Sequence, residues 1–357
     1  MNFSIPESPL TPPFLSNSGE DMNCHEKYQH YASSWASVKE KKFETPKVAR
    51  LYEQRSQRIL DAIALKEPDE VPVYLMAEGY ILTYSGIQPR DAFYNIDKFA
   101  SALLKLHEDF YLDYSVLTFV QSGNALETLG TKIIRWPGSA LPGSALPDDT
   151  SFQYVEDEYM RADEYDELIN NPEGYILRKY FPRIFTNLKG FANLPNAFNL
   201  IEVSGFAGSI LGLATGSPVR DSFEYLLKAA NQAGDILTKY LGAYRTIQTR
   251  YGMPHLFGGI SKAPFDIIGD TMRCTVGIVK DIYNQPEKVL AAVEALVTMA
   301  VQMGAQNTCV AHCLRIVNPY ESRLILDLKI LLFLFHFIRG RMSLCHLNSL
   351  RPFTGRA

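Results

Sequence analysis

The residues best suited to chemistry in this 357-residue chain sit just after short apolar runs. "VPVYLMAEGY" (71–80) brings Met76, Glu78 and Tyr80 behind a run rich in β-branched residues. Glu78 there suits a general acid–base or a substrate contact; a solvated turn carboxylate is the competing reading. "DYSVLTFVQSGN" (113–124) does the same for Gln121 and Asn124, whose amides can hydrogen-bond a bound molecule. His255, between Pro254 and "LFGG", can carry a proton near neutral pH or serve as a structural imidazole. Lys262 and Arg273 bracket "KAPFDIIGDTMR" and offer cationic contacts to a substrate. Asp266, Asp270 and Arg273 share helical spacing, which predicts an ion-pair ladder along one helix face. Catalytic roles are therefore expected of Glu78, Tyr80, Gln121 and His255, and substrate contacts of Met76, Asn124, Lys262 and Arg273. No metal set is expected; the nearest alternative is "CVAHC", where Cys309 and Cys313 can share a helix face beside His312.

Positioning these groups requires ordered elements. Thr45-Pro46 is a helix start, a hydroxyl N-cap followed by Pro at the first helical position. That helix is expected to run through Ile59 and Ile63 until Pro68 stops it. "VPVYLM" (71–76) and "DYSVLTFV" (113–120) read as buried strands, with "TKIIRWP" (131–137) and "PHLFGG" (254–259) as further candidates. Apolar spacing predicts helices over 95–110, 219–244 and 285–304, and a helical turn over 124–130 closed by Gly130. Strand–helix–strand alternation implies a parallel sheet with right-handed crossovers. The tandem "PGSALPGSALP" (137–147) reads as a tolerated loop duplication.

Composition bounds the function. The chain is 46% hydrophobic and 21% charged, with a net charge of −4 and no basic block, so no nucleic-acid surface is expected. Five scattered cysteines argue for a reducing compartment, and the first residues lack the pattern of a signal peptide, so a cytoplasmic location is expected. The apolar run 324–338 is too short to span a bilayer and is broken by Asp327 and Lys329, so no membrane partner is expected. "GFAGSILGLATGS" (205–217) lacks the Lys-Ser/Thr ending of a phosphate loop and reads as close backbone packing.

Four segments, in order, resemble the uroporphyrinogen decarboxylase superfamily: "RILDAIALKEPDEVPVYLM" (58–76), "LDYSVLTFVQSGNALETLGTKI" (112–133), "GFAGSILGLA" (205–214) and "RCTVGIVKDIYNQPEKVLAAVEAL" (273–296). The resemblance implies an α/β fold, the (β/α)8 TIM barrel, over 46–305, with a flexible arm over 1–45 and a site at the C-terminal ends of the strands. The decarboxylase reaction, a lyase step of porphyrin biosynthesis, is one alternative it implies, but the residues argue against it. Where that branch carries an arginine-bearing turn for its polycarboxylate substrate, this chain reads Met76-Ala77-Glu78-Gly79-Tyr80. The branch's pyrrole-binding aspartate falls on Gln121, and a family tyrosine on Gly216. The methyltransferase branch is the better match, implying zinc, a methyl-corrinoid substrate and a corrinoid protein as partner. A non-catalytic tetrapyrrole-binding or accessory protein is the alternative from another class.

The last segment, 306–357, does not read like the rest. With permitted codons and a start one nucleotide earlier, 341–356 translates as "ADVFMSPEQFETFYWP", similar to the superfamily's methyltransferase-like members. A slipped reading frame, and a barrel incomplete at its C-terminus, are therefore expected.

Overall fold

The computed structural model describes residues 24–75, 77, 79–115, 118, 120–211, 213, 216–255 and 261–307. Helix α1 (Cys24–Ala36) lies within the segment expected as an arm and carries Trp35, buried beside Ile59. Helix α2 (Pro46–Ile63) starts where the sequence says, Thr45 Oγ1 accepting from the Val48 N–H at 3.3 Å. It ends one turn before Pro68, where Leu65 adopts a left-handed φ of 56°. Helices α3 (Tyr80–Ser85), α4 (Pro89–Tyr94) and α5 (Ile96–Asp109) follow, with Asn95 capping the last through the Lys98 N–H. Helix α6 (Gly123–Leu129) has Ser122 as its N-cap and Gly130 as its left-handed stop, φ 66°.

A small mixed sheet comes next, in the order β2-β1-β3. Strand β1 (Ile134–Pro137) pairs in parallel with β2 (Ala145–Leu146) and antiparallel with β3 (Gln153–Tyr154). The tandem repeat forms the β1–β2 connection, and the glycine of each copy, Gly138 and Gly143, takes a left-handed φ, 77° and 73°.

The remainder is helical: α7 (Tyr165–Asn170), α8 (Pro172–Tyr175), a π turn at Ile176–Tyr180, α9 (Phe181–Ile184), and 3-10 turns at Thr186–Asn193 and Ala197–Leu200. Then come α10 (Val203–Leu211), α11 (Pro218–Tyr251), α12 (Pro264–Asp266), a second π turn at Ile267–Arg273, α13 (Cys274–Asn284) and α14 (Pro286–Asn307). Ser217 caps α11, with Pro218 in its first turn, and Gly252 stops it at φ 61°. A Cβ on Gly252 would lie 2.5 Å from the Val48 carbonyl oxygen, so only glycine fits where α11 ends against α2.

Among the described residues, two large hydrophobic cores form, beside smaller clusters at Trp35–Ile59 and at Phe93, Ile134 and Trp136. One joins α3, α5 and the end of α11 around Ile81, Leu103, Leu106 and Ile247. The other joins α7–α9, the second π turn, α13 and α14 around Tyr165, Leu168, Ile268 and Val289.

This is not the expected (β/α)8 barrel. Among the described residues there are three short strands in one small sheet, and helices dominate. Of the expected first strand, 71–76, the described residues 71–75 form no strand and make no ladder. Pro72 has no N–H to donate, and the Val73 N–H is taken by the Asp113 carboxylate at 2.6 Å instead of a backbone carbonyl. Val71 is 82% exposed, where a buried strand was expected. The run still touches the expected second strand through one backbone bond, Asp113 N–H to Val73 carbonyl at 3.0 Å, and Ser115 N–H reaches the Pro254 carbonyl at 3.0 Å. A short β-branched run reads the same in sequence whether it pairs in a sheet or links two helices. Of the other candidates, 134–137 is a strand, but in the small mixed sheet; 256–259 lies outside the described residues.

Candidate functional site

The periodicity of α2 places Tyr52, Arg55, Ser56 and Ile59 on its buried face, so charged residues fall on an otherwise apolar stripe. Their charges are answered at long range. Arg58 grips both Asp69 oxygens, Nε–Oδ1 at 2.7 Å and Nη2–Oδ2 at 2.9 Å, and its Nη1 donates to Asp113 Oδ1 at 2.5 Å and to the Tyr111 hydroxyl at 3.0 Å. Bonding by Asp69 outweighs burial and holds the guanidinium above its ordinary pKa. Arg55 donates to the backbone carbonyls of Tyr251 and Gly252. Burial lowers its pKa, with Asp113 acting in the opposite sense.

This framework brings 71–75, 110–115 and 252–255 together, and His255 stands at their junction. Its Nδ1 lies 2.8 Å from Ser115 Oγ, its carbonyl accepts from Trp35 Nε1 at 3.1 Å, and its ring meets Tyr244 edge-on at 5.2 Å. Tyr52 in turn donates to the Trp35 carbonyl at 2.8 Å. Burial, reinforced by nearby His107, lowers the His255 pKa to about 4, so the imidazole is neutral at pH 7. His107, buried in α5 with Nδ1 2.7 Å from the Leu103 carbonyl oxygen, is lowered to about 4 for the same first reason, with Arg55 adding to it. A neutral imidazole beside a serine hydroxyl can accept or relay a proton and can hydrogen-bond a ligand.

The other expected site residues that are described sit on several elements. Tyr80 opens α3 at the surface, stacked on Tyr84 and edge-on to Phe110. Gln121 is half-buried just ahead of α6, and Asn124 is exposed in its first turn. Lys262 pairs with Asp270 at 2.8 Å. Arg273 is buried, with Nε on Asp281 Oδ2 at 2.5 Å, Nη1 on Glu158 Oε1 at 2.5 Å and a further bond to the Met160 carbonyl. The expected Asp266–Asp270–Arg273 ladder does not form. These residues lie at the junction of α12 and the π turn, so the i,i+4 geometry of an α-helix is lost, and the charges choose partners elsewhere. Burial, then the Asp270 charge, pushes the Asp266 carboxyl up. Among the described residues, no hydrogen bond or ion pair joins His255 to Tyr80, Gln121, Asn124, Lys262 or Arg273. Met76, Glu78, Cys309, His312 and Cys313 lie outside the described residues.

A second buried polar centre lies among the helices after the sheet. Glu164 receives both arms of Arg183 at 2.6 Å, the Tyr175 hydroxyl at 2.9 Å and the Arg161 N–H at 2.9 Å. The Arg183 fork holds this carboxylate well below the usual range. Tyr165 donates to Asp281 at 2.9 Å, completing the Arg273 pair.

Ser115, Arg58, Asp113 and the Arg183–Glu164 pair were missed from sequence. The one available signal was Arg55 and Arg58 on the inner stripe of α2, which demands buried acceptors without saying where they come from.

No family model matches this chain, and no curated protein or solved structure matches it. Among the described residues, no helix is long and apolar enough to cross a membrane, and no group of three or more His, Cys, Asp or Glu side chains is arranged to hold a metal.

Proposed function

We propose that this chain is a methyltransferase related to the uroporphyrinogen decarboxylases, acting on a methyl-corrinoid through the junction around His255. The observation that carries this reading is spatial: two segments that bear the resemblance, 58–76 and 112–133, meet there through Arg58, Val73 and Asp113, next to the Ser115–His255 pair. The neutral imidazole and the buried Tyr244 ring beside it put a hydrogen-bonding group and an aromatic face at this junction. Zinc would supply thiolate activation, but the described residues include no ligand set that fits it, so no step is routed through a metal.

The test is demethylation of methylcobalamin with a thiol acceptor, with and without added zinc, followed by the corrinoid absorbance. Turnover that His255→Ala abolishes while the fold is kept supports the reading. Neither corrinoid binding nor turnover would sink it. Loss of carboxylate from uroporphyrinogen is not expected, since the turn that should carry arginines reads Met76-Ala77-Glu78-Gly79-Tyr80.

One observation favours a second reading, a tetrapyrrole-binding or accessory protein without catalysis. Lys262 and Arg273, the two cations expected to hold substrate, are both engaged in internal ion pairs. Porphyrin or corrinoid binding without turnover would select it.

A further inference from the structure

We propose that the groove beside the β1–β3 pair is a binding site for a small zwitterion of the amino-acid class. Its carboxylate would be held by Lys132 and Arg183, and its ammonium by Asp157 and Glu158. The groove is open to solvent and offers about 460 Å³, enough for a small molecule.

Its charges are arranged by the backbone. Val155 N–H donates to the Ile133 carbonyl at 2.9 Å, extending the antiparallel pairing of Ile134 with Tyr154 and setting Lys132 against the wall that carries Asp157 and Glu158. Lys132 N–H donates to the Ile184 carbonyl and its ammonium to the Arg183 carbonyl, both at 2.9 Å, so the two cationic residues are neighbours.

Each group keeps unused capacity. Lys132 spends one ammonium hydrogen on Arg183 and has two left. Arg183 uses Nη1 and one Nη2 hydrogen on Glu164 and the Tyr159 carbonyl, which leaves Nε–H and one Nη2–H without a partner among the described residues. Asp157 accepts the Glu158 N–H on Oδ1 and keeps Oδ2; Glu158 accepts from Arg273 on Oε1 and keeps Oε2.

The acidic wall is also held still. Cys274 Sγ donates to the Asp157 carbonyl at 3.0 Å and accepts the Asp157 N–H at 3.4 Å, and Glu158 is tied to buried Arg273. A wall placed before the ligand arrives loses less entropy on binding. Val155 and Pro182 supply apolar surface for a short side chain. An inorganic anion would meet Lys132 and Arg183 favourably but face two carboxylates across the groove, and a simple cation would meet the reverse. A ligand carrying both charges satisfies both walls.

Titration calorimetry on the full chain tests this with glycine, L-alanine and γ-aminobutyrate, against acetate and methylamine as single-charge controls. Concentrations run to ~10 mM, the weak end for a site with few contacts. At least one amino acid should bind while both controls fail. Lys132→Met and Asp157→Asn, at exposed positions, should each weaken binding by about tenfold or more, the loss of one charge-assisted bond. Circular dichroism checks that both variants keep the fold. Absence of binding by all three amino acids, acetate binding as tightly as they do, or folded variants that bind like wild type would each overturn the proposal.

Discussion

At the scale of single residues, the interior of this protein is decided by charges that cannot reach water. Asp113 is fully buried and Arg58 nearly so, and each is the other's closest answer. Arg58→Met leaves the Asp113 carboxylate in the interior with only the Val73 N–H; the expected cost is about 3–5 kcal/mol, read by urea unfolding. The double variant Arg58→Met/Asp113→Leu should be less damaging than that single change, because no lone charge remains. A loss for Arg58→Met no larger than that of a surface substitution would contradict the strut. The two histidines predict a pH dependence with a definite sign. The folded chain holds His107 and His255 near 4, whereas the unfolded chain takes up protons near the ordinary value of 6.5. Their stabilisation is therefore complete above pH 6.5 and is lost as pH falls from there to about 4. For deeply buried His107 the effect is on the order of 3 kcal/mol. Urea melts at about pH 7.5 and about pH 4.5 should differ accordingly, and His107→Leu should flatten the difference. Equal pH dependence in wild type and variant would refute this assignment.

At the scale of elements, what matters is how closely one backbone approaches another. The 3-10 turn Thr186–Asn193 packs on the start of α11 through Gly190, whose added Cβ would sit 1.8 Å from the Pro218 carbonyl oxygen. The same contact carries the Gly190 N–H to Ser222 Oγ bond at 3.1 Å. Gly190→Ala must push two backbones apart and should cost about 2–3 kcal/mol or more. Gly234, inside α11, has open space where a Cβ would go, so Gly234→Ala should stabilise by about 0.5–1 kcal/mol through helix propensity alone. Thermal melts of the pair give the comparison; the same sign for both would show that the approach at Gly190 is not as tight as described. Helix starts and stops of this kind were largely legible beforehand. Thr45-Pro46 and Gly130 carry their capping roles in side chain and φ preference, and α2, α5, α6, α11 and α14 lie close to where apolar spacing puts them, whereas the Asn95 and Ser122 caps emerged with the structure. The end of α11 ran past expectation to Tyr251, because its stop depends on Gly252 meeting α2.

At the scale of the whole molecule, α10 gathers several exposed apolar side chains on one short helix. Between Glu202 and Arg220 there is no ionisable residue, yet Val203 is 93%, Leu211 71% and Phe206 50% exposed. The close backbone packing expected of this Gly-rich stretch is present at Gly205, against Asn199, and absent at Gly208. A helix with apolar residues around its circumference and little covering it binds hydrophobic dyes and promotes association. Val203→Asp combined with Leu211→Asp should lower anilinonaphthalene sulfonate fluorescence and shift sedimentation toward smaller species; unchanged values would show that this surface is covered in solution. Of the tail expected to be out of frame, 308–357 lies outside the described residues.

The sequence by itself determined local features: the Thr45-Pro46 helix start, the Gly130 stop, and which spacing makes a helix. Each of these rests on interactions within about four residues, which spacing and side-chain type specify directly. Only the tertiary structure decided what the runs 71–76 and 113–120 become, because an apolar β-branched run is a strand only if another backbone offers it a ladder. Here the Asp113 carboxylate takes the Val73 N–H, and the expected barrel gives way to packed helices. The same holds for the polar groups. His255 is paired with Ser115, Arg183 with Glu164 and Arg273 with Glu158, contacts that come from packing and leave no mark in local spacing.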